Sequence, residues 1–211
     1  MKKLENIRTN YSISSLSRDQ LLQNPIEQFK TWFSEVVDII IEPTSMTLST
    51  YTIQHGSQSR VVLLKQIDQR GFVFFTNYNS LKGKQIALNN NVSLSFFWPE
   101  LQRQVRVNGI AKKVSNKVSL NYFSKRPRNS QISAWMSMQS EVIENRKTIE
   151  SKFQKLKQKF NNQPIPRPPY WGGYIVEPLT VEFWQGREDR MHDRFIYIKH
   201  NNKWNISRLS P

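Results

Sequence analysis

The chain has 211 residues, 31 of them lysine or arginine against 16 aspartate or glutamate, a net charge of +15. Its 37% hydrophobic and 12% aromatic content suits a folded core and is too high for a disordered chain. It contains no cysteine, which excludes disulfides, thiolate metal sites and cysteine nucleophiles.

Taken in chain order, residues 1 to 23 are polar and without a clear period, and read as a mobile N-terminal arm, with 24 to 211 as a single domain. The N-terminal MKKLENIRTN has no apolar run behind its lysines, so no signal peptide is expected, and no segment reaches the roughly 20 apolar residues that cross a bilayer. Asn24, Pro25 and Glu27 form a helix-start signal. Ile26, Phe29, Trp32, Phe33, Val36, Val37 and Ile40 follow at helical spacing, which predicts an amphipathic helix ending before Pro43. β-Branched and aromatic stretches at 46–53, 59–66 and 71–76 predict strands, with turns at His55-Gly56-Ser57 and Asp68-Gln69-Arg70-Gly71. A short helix capped by Ser80 is expected over 80–88, then strands at 92–98 and 103–114. Residues 115–160 read as mostly helical, in three pieces at 115–125, 130–138 and 144–160. A proline-rich loop leads to final strands at 173–177, 179–184, 194–199 and 203–208. Many short consecutive strands favour an antiparallel barrel or sandwich with added helices over a doubly wound sheet.

Four segments carry possible chemistry. In Arg60-Val61-Val62-Leu63-Leu64-Lys65, strand alternation sends the two basic ends to opposite faces. Phe75-Thr76-Asn77 followed by Ser80-Leu81-Lys82-Gly83-Lys84-Gln85 is a strand end running into a lysine-bearing helix start. Free N–H groups and the positive dipole end there suit a phosphate. No P-loop or dinucleotide fingerprint is present. Tyr122, Arg126 and Ser130 are spaced by four, and would share a face only if a helix ran through Pro127. The stretch Glu182 to Arg194 ends a strand on Trp184, turns at Gly186, and sets Arg190 and His192 before the next strand, which suggests an anion site. No spacing suggests a metal site. The plain structural reading of each segment is a charged strand edge, an ordinary cap, an exposed basic turn and a solvated hairpin. The lysines of 144–160 read as a solvated helix face, and the spread of charge calls for no nucleic-acid partner.

In this order the motifs RVVLLK (60–65), RQV (103–105), YFSKRPRNSQISAW (122–135), ESKFQKLKQKF (150–160), WGGY (171–174) and EFWQGREDRMHDRF (182–195) closely resemble the pyridoxamine 5'-phosphate oxidase family from about residue 24 to Pro211. The resemblance implies an α+β, mainly β chain: an antiparallel FMN-binding split β-barrel with peripheral helices, cytoplasmic and homodimeric, with flavin sites at the subunit interface. It implies oxidation of pyridoxamine 5'-phosphate or pyridoxine 5'-phosphate to pyridoxal 5'-phosphate, with O2 reduced to H2O2. Carried over by position, it puts Arg60 and Lys82 on the FMN phosphate and the strand Arg60, Val61, Val62, Leu63, Leu64 and Lys65 along the cofactor. Phe75 and Thr76 lie near the flavin and its tail, and Gln104, Gln139, Ser140, Trp184 and Arg194 complete that site, partly from the other subunit. Lys65, Tyr122, Arg126 and Ser130 hold the substrate phosphate, and Arg190, Met191 and His192 close over the pyridine ring, with Arg190 and His192 nearest the chemistry. Arg8 and Tyr11 of the arm cover the substrate. Leu81 departs from the family's usual arginine, which implies one phosphate contact fewer. The other readings of this sequence are a related FMN split barrel with a different substrate and a basic nucleic-acid-binding protein.

Overall fold

The structure, a computed structural model, describes residues 3–6, 9–136 and 138–211. The first helix, α1 (Pro25–Val36), starts where the sequence places it, with the Asn24 side chain accepting from the Ile26 N–H at 2.8 Å. Ile26, Phe29, Trp32 and Val36 are all buried. Phe29 is fully enclosed and meets Phe72, Phe96 and Trp98 at centroid distances of 5.0, 4.8 and 5.7 Å. An enclosed aromatic of this kind contributes about 3–5 kcal/mol, so α1 acts as the plug of the sheet's inner face. The helix stops at Val36 rather than running toward Pro43, and only turns follow up to Glu42.

Strands β1 (Ser45–Thr52), β2 (Gly56–Leu63), β3 (Gln66–Asp68), β4 (Gly71–Asn77), β5 (Asn91–Trp98), β6 (Arg103–Lys113), β7 (Trp171–Gln185), β8 (Asp193–His200) and β9 (Lys203–Leu209) form one antiparallel sheet. Its order is β2-β1-β5-β6-β7-β4-β3, with β8 and β9 branching from β7. The expected strand 59–66 is broken: Leu64 donates to Thr44 O while Lys65 donates to Val73 O, so the chain changes neighbour between these two residues. The Asp68 to Gly71 turn forms as read, with Asp68 Oδ1 accepting from the Arg70 N–H. Gly71 is required there, because a Cβ would lie 2.0 Å from Val176 O.

β7 departs from expectation in a way that shapes the molecule. Pro178 suggests a break between two strands, yet the strand is continuous over 15 residues. On one edge it pairs with β6 from Tyr174 to Gln185. On the other, Trp171–Val176 pair with β4 and Thr180–Gln185 with β8. Pro178 sits at the changeover, where its missing N–H costs no ladder bond. It faces Gly109 beside a register shift at Asn108/Gly109, and a Cβ on Gly109 would lie 2.3 Å from Glu177 O.

Helix α2 (Leu81–Leu88) follows β4. Helices α3 (Asn116–Lys125), α4 (Arg128–Met136) and α5 (Arg146–Lys159) follow β6 and build a second cluster around Phe123, Ile132, Phe160 and Trp171. The segment before α1 also packs: Leu16 and Leu21 belong to the main core, and the Leu16 N–H donates to Asp193 Oδ2 at 3.1 Å. Among the described residues no helix is long and apolar enough to cross a membrane.

Candidate functional site

A cleft of about 230 Å3 opens between β2, β4, α2 and α3. It is lined by Val61, Val62, Leu63 and Lys65, by Phe75 and Thr76, and by Lys82, Tyr122, Arg126, Gln139 and Trp171. Three of the four segments singled out in the sequence thus meet, together with Gln139 and Trp171. Leu64 alternates away and is buried in the core instead.

Lys65, Lys82 and Arg126 bring positive charge to the cleft, while Arg60 is not in the lining and turns its guanidinium to Thr50 and Gln85. Ser80 caps α2 by accepting from the Gly83 N–H, and the next residues leave Lys82 only 7% exposed. Burial pushes the Lys82 amine down from 10.5 to about 8, and the neighbouring Arg60 charge adds to the effect. Arg60 is lowered as well, by burial. On the α3 side, Arg126 lies 4.6 Å over the Trp171 ring, its pKa is lowered by burial, and its Nη1 is buried without a hydrogen-bond partner. Among the described residues none of Arg60, Lys65, Lys82 and Arg126 forms an ion pair. Unpaired charge at buried Lys82 and at half-buried Arg60 and Arg126 is costly in a protein that binds nothing there, and with exposed Lys65 beside them these residues fit two phosphate groups. One would lie at Arg60 and Lys82, the other at Lys65 and Arg126.

Between the two cation sets stands an aromatic wall. Phe75 stacks on Tyr122 at 3.9 Å and 13°, with Trp171 parallel to both. Trp171 is a wall residue that spacing alone did not single out; its only signal was the WGGY motif. Thr76 Oγ1 lies 3.5 Å from Gln139 Oε1, and Ser140 Oγ accepts from the Leu81 N–H at 3.3 Å, in a backbone conformation of φ 74°. Ser140 thereby covers one of the free N–H groups at the start of α2. Ser130 is not in the cleft lining. Arg126 is extended (ψ 146°) and ends α3, so the four-residue spacing of Tyr122, Arg126 and Ser130 never becomes a helix face.

The second group of expected residues lies elsewhere. Gln104, Trp184 and Arg194 are cross-strand neighbours on β6, β7 and β8. Arg194 Nε is held by Glu182 at 2.9 Å, and the His192 and Trp184 rings are 4.6 Å apart. The Arg187 N–H donates to His192 Nδ1 at 3.1 Å. Burial lowers the His192 pKa, with Arg190 and Arg194 adding to it. These effects favour the neutral ring, and because Nδ1 accepts from the Arg187 N–H the neutral form carries its proton on Nε2. Arg190 has a positive φ of 62°, and Met191 is 66% exposed beside it. Tyr11 packs edge-on to Trp184 at 5.8 Å and at the same distance from His192. The Gln102 side chain holds this segment, donating to Asn10 O and accepting from the Ile13 N–H. Arg8 lies outside the described residues.

The two groups sit at opposite ends of β7. Gly172 is opposite Thr76 of the cleft, whereas Trp184 is opposite Gln104 and Arg194. At about 3.3 Å per residue these ends are up to about 40 Å apart, too far for one small ligand to touch both within a chain.

Comparison with known proteins covers the segments that carry both groups. Residues 33–160 match the family model described as pyridoxamine 5'-phosphate oxidase, and residues 171–211 match that of the pyridoxine 5'-phosphate oxidase C-terminal dimerisation region. The pyridoxine/pyridoxamine 5'-phosphate oxidase of Teredinibacter turnerae is 49% identical over 209 residues, covering 99% of both chains. The structure of PhzG from Burkholderia lata, in complex with tetrahydrophenazine-1-carboxylic acid, superposes with a TM-score of 0.88 at 28% identity, over 95% of this chain and 100% of that one. A pyridoxamine 5'-phosphate oxidase-related, FMN binding protein of Nostoc punctiforme shares the fold at TM-score 0.72 and 14% identity, over 91% of this chain and 99% of its own. With both family models matched in sequence order and a relative nearly half identical from end to end, the chain belongs to the pyridoxamine 5'-phosphate oxidase family.

Proposed function

We propose that this protein oxidises pyridoxamine 5'-phosphate and pyridoxine 5'-phosphate to pyridoxal 5'-phosphate in the cytoplasm, using FMN as cofactor and O2 as acceptor. The observation that carries the reading is the pair of uncompensated cation sets, Lys65 and Arg126 in an aromatic-walled cleft and Lys82 in it with Arg60 beside it, which suits a phosphorylated cofactor beside a phosphorylated substrate. FMN, when bound, supplies the two-electron chemistry at the substrate's C4' carbon; the amine substrate also consumes water and releases ammonia, and each turnover gives one H2O2.

The residues bind and orient. Arg60 and Lys82 hold the cofactor phosphate, with the strand from Val61 to Lys65, Phe75, Thr76, Gln139 and Ser140 along the rest of it. Lys65, Tyr122 and Arg126 hold the substrate phosphate, and the buried Nη1 of Arg126 gains the acceptor it lacks. Neutral His192 donates its Nε2 proton to the oxygen or amine substituent of the pyridine ring. Arg190 stabilises charge developing near the reacting carbon.

Because the Trp184 end of β7 cannot reach the cleft of its own chain, Gln104, Trp184, Arg190, His192 and Arg194 serve the cleft of a partner copy in a two-fold homodimer. Exposed Val61 (65%) at the cleft rim and exposed Phe97 (53%), next to Gln104 in the sheet, are apolar surface for such a contact to cover. The test is the absorbance of the purified protein under anaerobic conditions. A flavin band that bleaches on adding pyridoxamine 5'-phosphate and returns with air is expected. A colourless protein, or a flavin band unchanged by either phosphorylated substrate, overturns the reading.

A further inference from the structure

Behind the cofactor-phosphate end of the cleft lies a buried polar group that the proposed reaction does not use. Gln85 is 1% exposed on α2, three residues after Lys82 and so on the same helix face. Thr50, 2% exposed, reaches it from β1. Their hydrogen bonds have one consistent direction. Arg60 Nη1 donates to Thr50 Oγ1 at 2.7 Å, so the single Thr50 hydroxyl proton goes to Gln85 Oε1, also at 2.7 Å. Arg60 Nη2 donates to the same Oε1 at 3.2 Å. The Gln85 amide then donates to Gln58 Oε1 at 3.0 Å, and the carbonyls of Leu48 and Gln58 take further Arg60 bonds at 3.2 and 3.1 Å.

Every acceptor around the guanidinium is therefore a neutral oxygen. A buried arginine in an ordinary core would be met by a carboxylate, which would orient it and cancel its charge together. Here the orientation is supplied and the charge is left intact, a short way from Lys82, whose amine feels it. We propose that Gln85, with Thr50, is a positioning pair that fixes Arg60 for the phosphate of the cofactor while keeping it uncompensated. The pair thereby sets the preference for a phosphorylated over an unphosphorylated flavin. The proposal rests on the FMN reading above.

The test compares binding of FMN and of riboflavin to flavin-free full-length protein, by quenching of flavin fluorescence, in the wild type, Gln85→Glu and Thr50→Val. Gln85→Glu keeps the shape but puts a carboxylate on Arg60. It is expected to weaken FMN binding about tenfold to a hundredfold, the scale of one charge-assisted hydrogen bond, and to leave riboflavin binding unchanged. Thr50→Val removes the bridging hydroxyl without altering strand propensity, and is expected to lower the FMN-to-riboflavin preference in the same sense. A general packing defect would weaken both ligands alike. If the wild type prefers FMN and both variants keep its full preference, or lose both flavins equally, the positioning role is overturned. If the wild type itself binds the two flavins equally, the cofactor-phosphate reading falls, and this proposal with it.

Discussion

Replacing Lys82 by methionine should make the flavin-free protein more stable and less able to hold FMN. Lys82 is 7% exposed, has no carboxylate partner, and has its amine held near 8 instead of 10.5. The difference corresponds to about 3 kcal/mol of unfavourable free energy while the amine is charged. Because the folded pKa lies below the unfolded one, that penalty is full below pH 8. Above it the unfolded chain binds more protons than the folded one, so stability rises with pH, and by pH 10 about 1 kcal/mol of penalty remains. Methionine fills the same volume without charge. Lys82→Met should therefore gain up to about 3 kcal/mol at pH 7 and about 1 kcal/mol at pH 10, while its FMN affinity falls. Urea unfolding of both proteins at the two pH values measures this, at one protein concentration because oligomer stability depends on it. A variant no more stable than wild type at pH 7, or equally stabilised at both pH values, would refute the account of Lys82 as a charge held ready for an anion.

Two further outcomes follow from the other end of β7. Arg190→Ala should lower turnover about a hundredfold with FMN content unchanged; unaltered kcat and KM for pyridoxamine 5'-phosphate would remove Arg190 from the site. Asp193 accepts from the Leu16 N–H, Arg187 and Arg208, which hold its carboxyl below the usual range against the opposing effect of burial. Asp193→Asn should release the N-terminal segment, seen as faster proteolysis before residue 16 and a loss of about 1–3 kcal/mol; unchanged cleavage would show the segment is held by its leucines.

What could be read in the sequence was whatever local spacing determines. Asn24-Pro25 and the 26, 29, 32, 36 stripe give α1, Ser80 gives the start of α2, and Asp68 with Gly71 gives the β3–β4 turn. Spacing could not show that β7 runs through Pro178, because a proline is harmless only where the neighbouring strand changes, and that is a property of the sheet. Nor could it show the docking of residues 10 to 16, whose hydrogen bonds go to Gln102 and Asp193 and have no period of their own. For the site, spacing gave no grouping, and only the resemblance, by sharing the flavin site between subunits, implied the division that the fold makes between the two ends of β7. Alternation tells which face a side chain takes and is silent about which end of a long strand it occupies. Ser130 shows the limit from the other direction: one extended residue, Arg126, undoes a spacing argument.

The long strand has a consequence for genetics as well as for chemistry. Under the proposed assembly, a chain with cleft residues at one end of β7 and capping residues at the other holds two halves of different sites. In the proposed homodimer a lesson of complementation follows: a subunit damaged at Lys82 and one damaged at Trp184 spoil the same one of the pair's two sites. The mixed dimer then keeps the other intact, although neither parent homodimer has a whole site.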